Sequence, residues 1–187
     1  QQRRSSWHPN QLLWPILNQL VAKKVMAKLG GNMRFAISGG AALNATIAQT
    51  FIGLGLPIIQ GYGLTETSPV ISVNHLDKNQ PASVGIPFDG IEVKIAENGE
   101  ILVKGPNVMQ GYYKDDAKTA EVIKDGYFHT GDKGEFDVDG FLKITGRTKE
   151  MFKTSGGKYV IPPLLEGELK QSLFIEQVMV VGENEKM

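Results

Sequence analysis

The chain has 187 residues, of which 41% are hydrophobic and 21% charged, and its 20 Lys and Arg residues balance its 20 Asp and Glu residues. This composition is typical of one or two globular domains, and the balanced charge without a long basic run argues against a nucleic-acid partner. Because the chain contains no cysteine, disulfides, thiolate nucleophiles and cysteine-ligated metals are excluded, which suits a reducing, cytoplasmic location.

The ends and the apolar runs of the sequence indicate what kind of chain this is. Its longest apolar run, around 51–59, is far shorter than the ~20 residues that span a bilayer, so we expect a soluble protein. The sequence begins QQRR, with no initiator Met and no apolar signal segment, and it ends just after a strand-like run. We therefore expect a piece of a longer protein.

The first part of the chain carries the periodicities of an α/β layer. Apolar residues at helical spacing predict an amphipathic helix that begins near Pro15 and ends at a Gly-Gly pair. A strand over 33–38 is followed by a glycine turn and by a helix that Asn44 caps. Pro57 begins the next strand, so this segment is predicted to be a βαβ unit with a parallel sheet, part of a doubly wound fold.

The carboxyl end of this last strand, where open α/β sheets bind ligands, carries the sequence QGYGLTETSP. Gly61 and Gly63 let backbone N–H groups approach an anionic oxygen, and Tyr62 offers a flat face to a purine. Thr65 can donate to a phosphate oxygen, while Glu66 is a hard oxygen ligand suited to Mg²⁺. Taken alone, such a decapeptide is more often an ordinary strand-to-loop exit. Together these groups favour a nucleotide site.

From Val84 onward the pattern changes to alternating apolar and polar residues. A turn at Asn98 and Gly99 predicts one hairpin, and a second is predicted around Asp139 and Gly140. We expect these hairpins to form a small antiparallel, barrel-like unit.

The last part of the chain is predicted to begin a small α+β domain. Pro162 opens a short helix, and 177–181 is a candidate buried strand. The expected division is a large-domain sheet region over 1–80, a β-rich unit over 81–147, and a hinge with the start of a small C-terminal domain over 148–187.

Two polar residues near the second hairpin can complete a nucleotide site. Asp132 ends the sequence YFHTGD, and its two carboxylate oxygens match a vicinal diol such as that of ribose. Arg147 follows a strand, and its guanidinium can fork onto a phosphate or a ribose oxygen. In isolation, Asp132 is more often a turn former and Arg147 is equally well explained as a surface ion pair.

Five motifs, taken in order, resemble the adenylate-forming superfamily of acyl-CoA synthetases, peptide-synthetase adenylation domains and firefly luciferases. They are SGGA at Ser38, GYGLTET at Gly61, GYY at Gly111, YFHTGD at Tyr127 and GRTKEMFKTSGGKYVIP at Gly146. Their order, spacing and residue identity agree with the superfamily over most of the chain. Within it, KTSGGKYVIPPLLE and FIEQVMVVGENEK are most similar to bacterial long-chain fatty acid CoA ligases.

The resemblance implies that ATP, Mg²⁺ and CoA are used and assigns a role to each matching residue. Tyr62 would stack on adenine, Asp132 would accept the ribose diol, and Arg147 would hold ribose or phosphate. Glu66 would bind Mg²⁺ and Thr65 a phosphate. The residues that match nucleotide-binding positions are Gly40, Ala41, Ala42, Gly61, Tyr62, Gly63, Thr65, Asp132, Ile144, Arg147 and Lys158.

The resemblance also implies a moving small domain. Lys149 matches the hinge between the large and small domains, and Ser155, Gly156 and Gly157 match the loop that lines the CoA pantetheine channel. A fatty acid would be converted with ATP to an acyl-adenylate and pyrophosphate, and then with CoA to a thioester. Peripheral membrane association of the parent enzyme is compatible with this activity, and the sequence does not define its oligomeric state.

Two other functions remain open at this point. One is an adenylating enzyme that uses another carboxylate or a carrier-protein acceptor, and the other is a non-catalytic nucleotide-binding relative. The superfamily's Ser/Thr/Gly-rich phosphate loop and the lysine that drives adenylation are absent from these 187 residues. We therefore expect the 187 residues alone to be inactive.

Overall fold

The computed structural model describes residues 14–41, 43–148, 152–154, 156, 159–170 and 172–182. The helical elements are α1 (Trp14–Leu17), a π-helical segment (Asn18–Ala22), α2 (Lys23–Lys28), α3 (Ala45–Gly53), a 3-10 turn (Thr65–Thr67), α4 (Asp116–Val122) and α5 (Pro162–Leu169). The strands are β1 (Ala36–Ser38), β2 (Ile58–Tyr62), β3 (Ser72–Val73), β4 (Ile86–Pro87), β5 (Glu92–Ile95), β6 (Glu100–Lys104), β7 (Ile123–Lys124), β8 (Tyr127–Phe136), β9 (Leu142–Arg147), β10 (Phe152–Lys153) and β11 (Tyr159–Val160).

The predicted βαβ unit is confirmed. β1 pairs in parallel with β2, with Ala36 opposite Ile58, and α3 connects the two strands. The side-chain oxygen of Asn44 accepts hydrogen bonds from the backbone N–H groups of Thr46 and Ile47 at 2.8 and 3.4 Å, as an N-cap residue does. β3 and β4 extend the sheet in antiparallel fashion, in the order β1-β2-β3-β4.

The first predicted helix is present as a continuous helical stretch of α1, the π-helical segment and α2. Two glycines with positive φ follow its end, as the sequence indicates. Ala22 is only 1% exposed, whereas much of the apolar face remains accessible among the described residues. The exposed apolar side chains of this helical stretch include Ile16, Leu17, Leu20 and Val21.

The second sheet contains both predicted hairpins. Its strands are all antiparallel and follow the order β5-β6-β8-β7, with β9 also paired to β8. The side chains with 0% exposure that form the core are Ile71, Ile101, Val103 and Leu142. The predicted antiparallel unit is confirmed. It is not a closed barrel, because no ladder in the described part of the chain joins β5 to β7 or β9 and the sheet stays open.

The C-terminal part contains the predicted short helix but not the predicted strand. Pro162 occupies the start of α5, and β10 and β11 form a short antiparallel hairpin before it. The predicted strand over 177–181 is absent from the described structure, and Val181 is 75% exposed. The backbone N–H of Val180 donates instead to Oε1 of Glu166 at 2.8 Å, so a side chain takes the place of a neighbouring strand.

None of the helices in the described ranges is both long enough and apolar enough to cross a membrane.

Candidate functional site

Three of the predicted site residues meet where the two sheets come together. Asp132 lies on β8 opposite Arg147 at the end of β9, and Tyr62 is the last residue of β2. The Tyr62 hydroxyl donates to Oδ2 of Asp132 at 2.7 Å, and Arg147 Nε donates to Oδ1 at 3.0 Å. The structure therefore brings together side chains from three separate motifs on one carboxylate.

The Asp132 carboxylate at the centre of this cluster is buried and hydrogen-bonded. Asp132 is 4% exposed, and the hydrogen bonds from Arg147 and the Tyr62 hydroxyl replace water around its carboxylate. Burial is also the largest cause that raises the pKa of Tyr62 above its ordinary value, so this hydroxyl stays a donor at neutral pH. Thr130 Oγ1 accepts from the Asp132 N–H at 3.1 Å and donates to the Ile101 carbonyl at 2.9 Å, which fixes the backbone.

Each carboxylate oxygen of Asp132 already accepts one hydrogen bond within the protein. A ribose diol would therefore have to share these oxygens with Tyr62 and Arg147. A carboxylate oxygen can accept more than one hydrogen bond. A diol could therefore share this carboxylate with the existing donors. The Arg147 side chain is 58% exposed, whereas that of Asp132 is 6% exposed. An approaching ligand therefore reaches the guanidinium before it reaches the carboxylate.

The turn after β2 has a fixed shape. A Cβ atom on Gly63 would overlap the backbone carbonyl of Pro69, so only glycine fits at this position. The Thr67 side chain is fully buried, and its hydroxyl accepts from the Leu64 N–H and donates to the Leu64 carbonyl, each at 3.0 Å. Thr65 remains exposed on the outside of this turn.

Glu66 is held by a segment that the sequence did not single out as a binding element. Oε1 of Glu66 accepts from the Tyr112 hydroxyl at 2.9 Å, and the Glu66 carbonyl accepts from the Met109 N–H at 2.8 Å. Asn107 donates to two carbonyl oxygens of the same turn, each at 3.0 Å. The loop formed by residues 105–112, called the 105–112 loop below, thus fixes both the backbone and the carboxylate of Glu66.

The carboxylate of Glu66 is suited to a magnesium ion whose other ligands are the phosphate oxygens of a nucleotide. In the described residues, Oε2 of Glu66 carries no hydrogen bond, and no group of three or more His, Cys, Asp or Glu residues could enclose a metal. Magnesium is typically held by one or two carboxylates together with substrate phosphates and water. Glu66 is thus compatible with Mg²⁺ carried by a nucleotide.

The glycine loop after β1 is fixed by a buried glutamine. Oε1 of Gln60 accepts from the Leu43 N–H at 3.0 Å, and its Nε2 donates to the Pro81 carbonyl at 3.0 Å. Gln60 is 6% exposed and pairs across the parallel ladder with Ser38. The loop that contains Gly40 and Ala41 therefore starts beside the strand that ends at Tyr62.

The remaining predicted residues are distributed as follows. Ile144 is half-buried on β9 and packs against the hydrophobic core, and Gly156 is exposed in a turn. Sequence reasoning did not give a role to Gln60, Asn107 or Tyr112, although the last of these belongs to a motif that it recognised. The predicted residues that lie outside the described residues are Ala42, Lys149, Ser155, Gly157 and Lys158.

Comparisons with known proteins agree with the motif pattern. Residues 11–113 match the AMP-binding enzyme family. Over 168 residues the chain is 45% identical to a long-chain-fatty-acid–CoA ligase of Mycobacterium bovis, covering 90% of this chain and 28% of the relative. It is 37% identical to human long-chain-fatty-acid–CoA ligase 1, covering 97% of this chain and 27% of that protein. The chain thus spans well under a third of the length of these relatives.

A solved structure shares the fold. It is the o-succinylbenzoate coenzyme A synthetase from Bacillus subtilis in complex with ATP and magnesium ion. Its TM-score is 0.64 at 28% identity, and the match covers 79% of this chain and 34% of that protein.

Proposed function

Because this chain belongs to the AMP-binding enzyme family, we propose that the full-length protein is a long-chain fatty acid CoA ligase that uses ATP and Mg²⁺. The curated relatives support the substrate class, since those from Mycobacterium bovis and human are both long-chain-fatty-acid–CoA ligases. The solved structure with ATP and magnesium ion supports the nucleotide and the metal.

The observation that carries this proposal is the Tyr62–Asp132–Arg147 cluster. Asp132 would accept the ribose hydroxyls, Arg147 would contact ribose or phosphate, and the Tyr62 ring would stack on adenine. The buried, already paired carboxylate is a preorganised acceptor, since its orientation is set before the ligand arrives. Gly40, Ala41 and Ala42 would line the adenine, next to the strand that Gln60 anchors, and Ile144 would pack near the nucleoside.

The first half-reaction brings two anions together, so charge compensation is its main requirement. A carboxylate oxygen of the fatty acid attacks the α-phosphorus, the bond from that phosphorus to the pyrophosphate oxygen breaks, and an acyl-adenylate remains. Mg²⁺ on Glu66 would supply positive charge to the phosphates. Thr65, exposed beside Glu66, would donate a hydrogen bond to a phosphate oxygen. Gly61 near the end of β2 and Gly63 in the turn after it would present backbone N–H groups.

The second half-reaction uses the same site after the small domain moves. The CoA sulfur attacks the acyl carbonyl, the bond to AMP breaks, and a thioester forms. Residues 148–187 would contain the hinge and the start of the small domain, with 1–80 and 81–147 belonging to the large domain. Lys149 would be the pivot, and Lys158 would contact phosphate. The residues proposed to line the CoA channel are Ser155, Gly156 and Gly157.

The decisive experiment uses the full-length reading frame that encodes this chain. It should release pyrophosphate from ATP in the presence of a long-chain fatty acid, and it should release AMP and form acyl-CoA only when CoA is added. The variant Asp132→Ala should weaken AMP binding by roughly 100-fold, since a charge-assisted acceptor is lost. Transfer to a carrier protein instead of CoA, or nucleotide binding without turnover, would each replace the proposed function by one of the alternatives.

The 187-residue chain provides a second test. We expect it to release no pyrophosphate from ATP and a fatty acid, because the phosphate loop and the adenylating lysine of the superfamily are not in its sequence. Sustained pyrophosphate release from the purified chain would contradict this expectation.

A further inference from the structure

Tyr112 contacts the one carboxylate that the proposed function assigns to magnesium. Its hydroxyl donates to Oε1 of Glu66 at 2.9 Å, although 46 positions separate the two residues. The next residue, Tyr113, is 87% exposed. Tyr112 and Tyr113 have the same side chain, but only the first donates a hydrogen bond to Glu66 among the described residues. Tyr113 is therefore a natural control for Tyr112.

The backbone of Tyr112 is fixed independently of that contact. The Tyr112 N–H donates to Oγ1 of Thr119 at 2.9 Å, and Thr119 lies on α4. A Cβ on Gly111 would stand 2.8 Å from Cγ2 of Thr119, so the glycine is needed for this close approach. The GYY motif thus places the Tyr112 ring between α4 and the turn that bears Glu66, and this arrangement does not depend on the phenol hydroxyl.

We propose that Tyr112 is a positioning residue that holds Oε1 of Glu66 and so presents Oε2 to the nucleotide-bound magnesium ion. This inference rests on the proposed function. A carboxylate that bonds a metal through one oxygen gains from a hydrogen bond to the other, because the side chain is then held in one orientation. Oε2 has no hydrogen bond among the described residues, so the Tyr112 contact leaves it available.

The chemistry of the hydroxyl suits this role. A neutral phenol donates to the carboxylate without bringing a positive charge that would repel Mg²⁺, as a lysine or an arginine at the same place would. The Lys118 ammonium lies over the Tyr112 ring, 4.7 Å from its centroid, and not at the carboxylate.

The test compares Tyr112→Phe with Tyr113→Phe in the full-length protein. Magnesium binding is measured by calorimetry in the presence of a non-hydrolysable ATP analogue, and AMP binding is measured without metal. Loss of a residue that orients a metal ligand typically weakens metal affinity by 10–100-fold, so we expect roughly tenfold weaker magnesium binding in Tyr112→Phe. AMP affinity should stay within about twofold of the parent, since AMP requires no metal contact from Glu66. Tyr113→Phe should match the parent in both assays.

Two further variants separate orientation of Glu66 from docking of the loop and from the proposed function itself. Asn107→Ala removes two hydrogen bonds between the 105–112 loop and the turn but keeps the Tyr112 hydroxyl. If it weakens magnesium binding as much as Tyr112→Phe does, the hydroxyl has no specific role and the inference fails. Unchanged magnesium affinity in Tyr112→Phe overturns it as well. Glu66→Ala should abolish the magnesium-dependent binding, and if it does not, the proposed magnesium site is itself wrong.

Discussion

The β-rich centre of the chain and its N-terminal α/β layer differ in how completely they are packed. In the centre, Ile101, Val103 and Leu142 are fully buried, whereas Ile37 on the parallel strand β1 is 65% exposed. Parallel sheets are normally covered on both faces, so in the described structure the first layer lacks part of the cover that its sequence pattern demands. Asp132 and Arg147 are held by strands of the packed centre, whereas Tyr62 reaches them from β2 of the outer layer. The outer layer depends more on short-range features such as helix caps and turns.

The largest effect should come from removing core volume in the centre. Leu142→Ala deletes a side chain with 0% exposure, and such deletions cost about 2–5 kcal/mol of the free energy of unfolding. The matched change in the outer layer, Ile37→Ala, should cost under about 1 kcal/mol because that side chain is largely exposed. Urea unfolding of both variants measures the difference. Equal losses would show that Ile37 is covered in solution and would remove the contrast between the two regions.

A smaller effect is expected in the tight turn between β2 and β3. Gly63→Ala places a Cβ against the Pro69 carbonyl, and overpacking of this kind costs about 1–3 kcal/mol. The turn that carries Glu66 should shift with it, so AMP and magnesium binding should weaken too. The control is Gly53→Ala at the end of α3, where a Cβ meets nothing within 4 Å. That variant should be neutral or slightly more stable, and a stable, fully binding Gly63→Ala protein would show that the turn can rearrange.

Local signals explain which parts of the fold were predictable. Asn44 as a cap and the Asn98-Gly99 turn act within a few residues, so their elements were assigned correctly. The meeting of Asp132 and Arg147 was also accessible, because both lie at similar distances from the turn at Asp139 and Gly140. Strand pairing brings them opposite each other despite a register shift after Lys133.

Contacts between distant segments explain what was not predictable. The hydrogen bond between Tyr112 and Glu66 and that between Gln60 and Leu43 depend on how loops pack, and no periodicity records this. The strand expected over 177–181 was wrong for a related reason, since an apolar run shows strand propensity but not whether a partner strand lies beside it. The open edge of the second sheet is likewise a property of pairing and not of any one strand.

A third prediction concerns the buried hydroxyl at the junction of the two sheets. Tyr62→Phe leaves Oδ2 of Asp132 without its donor, which should cost about 1–2 kcal/mol at pH 7. Burial raises the pKa of Tyr62, so the folded protein keeps this proton while the unfolded chain loses it near its ordinary value of about 10. The contribution of Tyr62 is therefore complete below about pH 10 and is lost as the pH rises further.

The measurement that isolates Tyr62 is the difference in unfolding free energy between the parent and Tyr62→Phe across alkaline pH. The other tyrosines titrate in both proteins and cancel in this difference. We expect the gap to be constant from pH 7 to pH 9 and to shrink above pH 10. A gap that stays constant to pH 11 would mean that Tyr62 ionises equally in the folded and unfolded states.

The smallest effect should come from removing the helix cap at Asn44 in the outer layer. Asn44→Ala removes the acceptor for the N–H groups of Thr46 and Ile47, and loss of an N-cap costs about 1 kcal/mol. Gln49→Ala, at an exposed position of α3, is the control and should change stability by less than about 0.5 kcal/mol. Hydrogen exchange of the α3 amides should show whether the loss stays within the outer layer. The loop of Gly40 and Ala41, proposed to line the adenine, leads into this cap. Faster exchange in α3 with unchanged exchange in β6 and β8 would therefore show that this part of the proposed site is less stable than the centre. Equal acceleration in both would mean that they unfold as one unit.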